Sequence, residues 1–437
     1  MNVVIVGAGM AGTMLAIRLA RRGHRVDVVE RRGDPRGTNG PDAASISVGL
    51  SERGRAALRD IGLLDEALAH SVPMRGRIVH HSGRVTYQPY GADDTEVLHA
   101  VRRHDLNIAL LDAAESVPRV RLWFGHRVTG LAGTEVRTQD RTFSADLVVG
   151  ADGAYSTVRT HLHRRVGAEL HQTHLDWGYR EFTIPAVDRP EALHVWPGRR
   201  GLVVAHPNPD GSLTGTVFLP FDGDTGFLGL RDPARAGAFL AEEFGDLTDL
   251  VPDLVTQFLA HEPGSLVSVR TAPWQHDRVV LIGDAAHAVL PFYGQGMNAA
   301  FEDCAVLDAC LAEHAPGDAL AAFEARRRPH TDVLAELSAR NFVELRDRVR
   351  SPVFLARKRI DLALGRLLPG WRTLYAMISH SSLPYGDALA RARRQDRLLA
   401  GLAGLAGLAG LAGLAGLAGL GGVTLLAAAR RKRSGRC

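Results

Sequence analysis

Residues 3–30, VVIVGAGMAGTMLAIRLARRGHRVDVVE, decide the fold. Val3–Val6 is a short apolar run suited to a buried parallel strand. Gly7-Ala-Gly9-Met-Ala-Gly12 follows, then a helical stretch carrying Arg18, Arg21 and Arg22 that Gly23 can end. Arg25–Val29 reads as a second strand closing on Glu30. The spacing has a physical reason. Gly7 permits the tight turn, Gly9 lets backbone approach a pyrophosphate, and Gly12 lets the helix pack close to the strand. Glu30, about 20 residues on, is placed to accept a hydrogen bond from a ribose hydroxyl. An α/β, Rossmann-like dinucleotide site is therefore expected, although this motif alone does not separate FAD from NAD.

Two later stretches make that choice. DLVVGADGAYSTVR, residues 146–159, is another strand-then-turn, with Asp152 in the turn and Arg159 one helical turn on. VLIGDAAHAVLPFYGQGMNAAFEDC, residues 280–304, runs an apolar strand into Gly283-Asp284 and then a glycine-rich loop that opens a helix. Such an order brings an aspartate to a sugar-like chain and a helix N-terminus to an electron-rich ring. Positive helix ends stabilise negative charge, and a reduced flavin carries it. An NAD dehydrogenase has no need of this second site so far from the first. FAD is the expected cofactor, with a reduced nicotinamide binding transiently, because no second complete Gly-x-Gly-x-x-Gly unit occurs.

Read together, GAGMAG, GADG and the 280–304 stretch resemble the flavin motifs of the class A FAD-dependent aromatic hydroxylase family. The resemblance runs from about residue 2 to 397 and is closest to its kynurenine-hydroxylating branch. SERGRAALRDIGL (51–63), PMRGRIVHHSG (73–83), RRHDLN (102–107), GYREFTIP (178–185) and NFVELRDRV (341–349) carry it. It implies that Asp152 lies by the flavin and that Asp284 binds its ribityl–pyrophosphate region. Backbone N–H groups of Gly296, Met297 and Asn298 would approach the flavin N1/C2 carbonyl, and Arg103 would contact the flavin. The substrate-carboxylate arginine falls on Arg77 and its tyrosine partner on Tyr90. Asn341 and Tyr375 would complete recognition of the amino acid, and Phe292 and Met297 would close the aromatic pocket. Arginine can grip a carboxylate through a bidentate fork, and tyrosine and asparagine add directed hydrogen bonds.

The chemistry implied is NADPH reduction of FAD, then O2 activation as a flavin C4a-hydroperoxide that converts L-kynurenine to 3-hydroxykynurenine. The cofactor carries that chemistry, so no acid–base triad is expected. One departure bears on the substrate. Where the family has Arg-Ser-Ile-Asn, this chain has Ala44-Ser45-Ile46-Ser47, after a Gly- and Pro-rich Gly37–Pro41 expected to move. A related anthranoyl or phenolic substrate is the alternative, and a non-catalytic flavin-binding protein is a third reading.

Composition narrows the rest. The chain has 437 residues, 46% hydrophobic and 23% charged, with a net charge of +4. Such a balance leaves no dominant field for nucleic acid. Lys358 and Lys432 are the only lysines, and three cysteines, Cys304, Cys310 and Cys437, make no disulfide framework. The histidines lack zinc-type spacing, so no metal is expected. No basic leader precedes the strand at Val3, so the folded part is expected in the cytoplasm.

The flavin-binding part is expected to be discontinuous, over 1–70, 97–175 and 270–330. A substrate sheet is expected over 71–96 and 176–269, with strands such as Gly201–Ala205 and Leu213–Leu219. Residues 318–397 read as helices over the substrate pocket. Residues 398–429 are uncharged and mostly a Gly-Leu-Ala repeat, before a basic tail at 430–437. The tract exceeds the ~20 residues that span a bilayer, while its glycines weaken helix and hydrophobicity. It reads as a transmembrane anchor, as a repeat expansion forming a loose helix, or as an interaction helix.

Overall fold

In a computed structural model, the described residues are 1–37, 47–81, 83–90, 96–185, 187–189, 191–348, 352–368 and 370–401. Expectations for Ala44 to Ile46, and for the tail beyond residue 401, fall outside them. Two compact units emerge, Met1–Gly386 and Asp387–Cys437; the described start of the second is helical.

The first apolar run forms the strand Asn2–Val6, and Val3 to Val6 are all buried. It pairs in parallel with Arg25–Val29 on one side and Leu147–Gly150 on the other. Leu147–Gly150 pairs in parallel with Val279–Leu281, and Arg25–Val29 with Val120–Trp123. A short antiparallel strand, Gln275–His276, completes six strands. Val, Ile and Leu runs form the central strands Asn2–Val6, Leu147–Gly150 and Val279–Leu281, which are buried on both faces of the sheet. Three neighbouring strands therefore end side by side at Gly7, Gly150 and Leu281. All three glycine-rich turns leave from their carboxyl ends, where open α/β sheets bind ligands.

A seven-stranded sheet follows the order Gly264–Ala272, Glu169–Ile184, Leu213–Pro220, Leu202–Pro207, Leu193–Pro197, Gly76–His81 and Arg84–Pro89. All pairings are antiparallel except Leu193–Pro197 with Gly76–His81. The period of two in a strand divides its residues between two faces. Phe182, Ile184, Val203, Val217 and Leu219 pack with Phe239, Leu247 and Phe258 of three short helices. On the other face, Leu202 and Phe218 pack with Leu290, Phe292, Phe342 and Leu345. That second face packs on the turn at Leu290 and Phe292, which follows the last parallel strand.

The helix Gly296–Glu313 packs on Met10–Arg21, where Cys304 Sγ donates to Ala11 O at 3.2 Å. The region expected to be helical from 318 onward consists of helices Pro316–Val343, Pro352–Leu367 and Leu374–Ser379, and a further helix over 385–401. A single π-helical turn, Glu344–Arg348, follows the first of these. No helix among the described residues is long and apolar enough to cross a membrane.

Candidate active site

The first turn is shaped by what a side chain would strike. Gly7 has φ +109°, and a Cβ there would lie 2.4 Å from Ala151 O. A Cβ on Gly12 would lie 2.0 Å from Gly7 O, whereas a Cβ on Gly9 would meet nothing within 4 Å. The two outer glycines are therefore demanded by the protein, and the face at Gly9 is left open for a ligand to approach. Glu30 Oε2 accepts from Ala8 N at 2.9 Å and Oε1 from Arg32 N at 2.9 Å. Each oxygen keeps a further lone pair for a ribose hydroxyl.

Gly283 has φ +56°, and the exposed Asp284 opens the four-residue helix Asp284–His287. Asp284 has no hydrogen-bond partner among the described residues. The Gly296–Glu313 helix begins after Gly294, at φ +64°, with no side-chain cap and no acid in its first turn. Its first N–H groups, at Gly296, Met297 and Asn298, remain orphans of the kind that bind anionic groups. A dinucleotide with an electron-rich ring fits these features: an open pyrophosphate face, two acids for hydroxyls and a helix end for the ring. Glu30, Gly9, Asp284 and the Gly296–Asn298 backbone would hold it.

Asp152 behaves differently. Its Oδ1 accepts from Ser156 Oγ at 2.5 Å, and its Oδ2 from Thr157 N at 2.7 Å and Val158 N at 3.2 Å. Burial raises its carboxyl above the usual range, against those hydrogen bonds. Its oxygens thus serve the start of their own helix. Arg159 spans the two later turns, donating to Ala285 O at 2.8 Å and Ala154 O at 2.6 Å. Asn298 likewise spends its side chain on protein, accepting from Ser51 N at 2.9 Å and donating to Gly49 O at 2.9 Å. Arg103, first residue of the helix Arg103–Glu115, is exposed.

The substrate-side residues gather at the edge of the seven-stranded sheet. Hairpin register sets Arg77 opposite Gln88, and Arg77 Nε donates to Gln88 Oε1 at 2.9 Å. Arg77 is buried, with no carboxylate partner among the described residues. Tyr90 Oη is buried and lacks a hydrogen-bond partner among the described residues. The Tyr90 ring lies 5.2 Å from that of Tyr375, which lies 5.8 Å from that of Tyr293. Burial raises the phenol pKa of all three tyrosines, so they remain neutral donors at physiological pH. A buried guanidinium without a carboxylate partner has the chemistry to take a ligand carboxylate, and a phenol beside it can donate to the same group.

Asn341 Nδ2 donates to Phe292 O at 2.6 Å. Phe292 stacks on Phe342 with centroids 4.4 Å apart, and the tilted ring of Phe218 lies 5.0 Å from it. Asn341 therefore fixes the Pro291–Tyr293 turn between sheet and flavin cradle. Met297 is half-buried against the Rossmann core.

This geometry can be set beside known proteins. A family described as FAD binding domain matches residues 1–338. Kynurenine 3-monooxygenase of Salinispora arenicola (strain CNS-205) is 53% identical over 418 residues, covering 91% of this chain and 92% of that protein. The chain belongs to the kynurenine 3-monooxygenase family. Kynurenine 3-monooxygenase of Myxococcus xanthus (strain DK1622) is 40% identical over 419 residues, 92% of this chain and 90% of that protein. Among solved structures, P. aeruginosa PqsL in complex with 2-aminobenzoylacetate has TM-score 0.67 at 25% identity, covering 82% of this chain and 99% of that one. A tetrameric 2-methyl-3-hydroxypyridine-5-carboxylic acid oxygenase shares the fold, with TM-score 0.67 at 21% identity, over 83% and 97% of the two chains.

Several residues of this kynurenine 3-monooxygenase family member escaped sequence reasoning. Gln88 lies two residues before Tyr90, but only strand register reveals that it faces Arg77. Asp303 is buried under the flavin turns, its Oδ2 accepting from Gly283 N at 2.9 Å and its Oδ1 from Arg327 Nε at 2.8 Å. Glu181 shares a strand face with Tyr179, and burial raises its carboxyl to about 7 despite the opposing charge of Arg103. Nothing in the sequence marks Glu181 beyond its place in GYREFTIP.

Proposed function

We propose that this chain hydroxylates L-kynurenine at C3, using FAD, NADPH and O2. The observation that carries the reading is the buried Arg77, without a carboxylate partner, beside the orphaned Tyr90 hydroxyl. Kynurenine is an amino acid bearing an aniline ring and supplies the missing carboxylate. When bound, FAD reduced by NADPH would supply the activation of O2. The protein's own work is placement. Arg77 and Tyr90 hold the carboxylate, with Tyr375 beside them, while Asn341 holds the Phe292 turn. Phe292 and Met297 keep water from the ring, which protects the coupling of NADPH oxidation to hydroxylation.

In this reading 1–70, 97–175 and 270–330 serve the flavin, and 71–96 and 176–269 the substrate. Asp152 and Arg103 act near the flavin through the turn and helix they anchor. The 398–429 tract is a membrane tether of the catalytic part. A second reading has one observation in its favour: PqsL was solved with 2-aminobenzoylacetate, which shares kynurenine's aniline, ketone and carboxylate but not its ammonium.

The test is NADPH consumption by the purified, FAD-loaded full chain with and without L-kynurenine, with products identified by mass spectrometry. Strong stimulation with one oxygen added at C3 is expected. Stimulation with peroxide alone as product would make kynurenine a mere effector. Turnover of 2-aminobenzoylacetate in preference to kynurenine would install the second reading.

A further inference from the structure

Lys358 is one of only two lysines in a chain that otherwise uses arginine for its basic side chains. It lies on the helix Pro352–Leu367, some 270 residues after Gln88 in sequence. Its Nζ nevertheless reaches Gln88 Oε1 at 3.4 Å, the same oxygen that takes the Arg77 Nε bond at 2.9 Å. Two cationic side chains, one from the hairpin and one from the C-terminal helical region, thus converge on one neutral carboxamide oxygen. Lys358 makes no ion pair within 4.0 Å among the described residues, whereas its helix neighbours Arg357 and Asp361 pair at 2.9 Å.

Two like charges brought this close in a protein wall are unfavourable unless an anion joins them. Gln88 cannot be that anion. Among the described residues, the charged and titratable groups facing Lys358 are Arg77 from the hairpin and Glu344 from the π-helical turn, and Glu344 makes no ion pair with it within 4.0 Å. Tyr90 and Tyr375 face Arg77. Burial, then the Arg77 charge, lowers the Lys358 ammonium to about 7, with Glu344 opposing. A ligand carboxylate has two oxygens and about four acceptor sites, enough for a guanidinium, a phenol and an ammonium together.

We propose that Lys358 is a second carboxylate-binding residue, which with Arg77 forms a two-cation clamp on the substrate's carboxylate. The inference rests on the reading that Arg77 meets that carboxylate. It adds that the helical C-terminal region contributes a charge to the pocket and does more than cover it. The clamp explains why a lysine occurs here. An ammonium on a flexible stem can leave Gln88 for the ligand, whereas a planar guanidinium would stand against that of Arg77.

The test uses the FAD-loaded full chain and two substrates, L-kynurenine and its decarboxylated analogue, which keeps ring, ketone and amine. Lys358→Met should raise KM for kynurenine roughly ten- to a hundredfold, with a far smaller effect on kcat. KM for the analogue should move by less than about twofold, and Lys358→Arg should recover only part of the loss. Arg77→Met run in parallel separates the two ideas. If Arg77→Met raises KM and Lys358→Met does not, the clamp is overturned and the one-cation reading stands. If neither variant moves KM, both fall. A rise for both substrates alike would assign Lys358 to helix packing and also overturn the clamp. Should Lys358→Met lose flavin or fold, Lys358→Gln, which keeps a donor toward Gln88, is measured in the same way with the same outcomes.

Discussion

Tyr90 Oη is buried and takes no hydrogen bond among the described residues, so on the proposed reading Tyr90→Phe removes the bond that the hydroxyl makes to the substrate's carboxylate. Such a bond contributes about 0.5–1.5 kcal/mol. Tyr90→Phe should therefore raise KM for kynurenine roughly two- to tenfold and leave the melting temperature within about 2 °C of the parent. A large fall in melting temperature would mean that the hydroxyl has a structural partner. The glycines of the first turn divide in a similar way. Alanine at Gly12 would press its Cβ on Gly7 O at 2.0 Å, so Gly12→Ala should destabilise the apoprotein itself. Gly9 has open space on that side, so Gly9→Ala should leave apoprotein stability alone and weaken FAD by about tenfold (~1.4 kcal/mol). Thermal melts with and without FAD, and flavin titration by fluorescence, distinguish the two. These glycine roles were legible in the sequence because backbone geometry imposes them locally. The partnership of Arg77 with Gln88 was not, since it depends on a hairpin register that spacing alone leaves open.

The elements that frame the flavin turns are joined by one buried ionic cluster. Asp303 on the Gly296–Glu313 helix accepts from Gly283 N, lies 2.5 Å from His287 Nε2, and accepts from Arg327 Nε at 2.8 Å. Arg327, on the next helix, also pairs with Glu302 at 2.7 Å, and Trp274 stacks on His287 at 5.0 Å. Burial by itself would raise the Asp303 carboxyl, but the charges of His287 and Arg327 outweigh it and hold the pKa below its usual 3.8. A depressed carboxylate contributes stability that is present above its unfolded pKa and lost as pH falls through the folded one. Asp303→Asn should cost about 3–5 kcal/mol, because it leaves a buried arginine short of charge. It should also remove part of the parent's loss of stability below about pH 4, which denaturant melts across pH 3–7 would read. If the acid limbs of parent and variant superimpose, the cluster is not what titrates. At this scale the strands at 3–6 and 147–149 could be read from unbroken apolar runs, and the strand at 25–29 from its place between Gly23 and Glu30. Arg327 could not be tied to Asp303, since a buried pair between two helices leaves no periodic trace in either.

Across the whole molecule, the shared sheet of three distant strands was legible because three glycine turns must end adjacent parallel strands. The chain has to return to one sheet after about 150 and again after about 280 residues. Those strands do lie side by side. The helical stretch after residue 316 was legible only as helical; which of its side chains reach the pocket follows from packing that composition does not encode, and Lys358 is the example. The Gly-Leu-Ala tract poses the remaining whole-chain question. Every residue of the flavin cradle and of the Arg77 pocket lies within Met1–Gly386. A chain ending at residue 401 should therefore retain its FAD and its KM for kynurenine within about twofold, the ~0.5 kcal/mol scatter left when no site contact is removed. Leucine favours insertion and the frequent glycines oppose it, so the tract's membrane affinity has to be measured against the same truncation. Sedimentation with anionic vesicles should carry down the full chain and leave the shortened one in the supernatant. If both remain in solution the tether is wrong, and if both sediment the membrane contact belongs to the catalytic part. A shortened chain that loses flavin would instead show that the tract supports the fold.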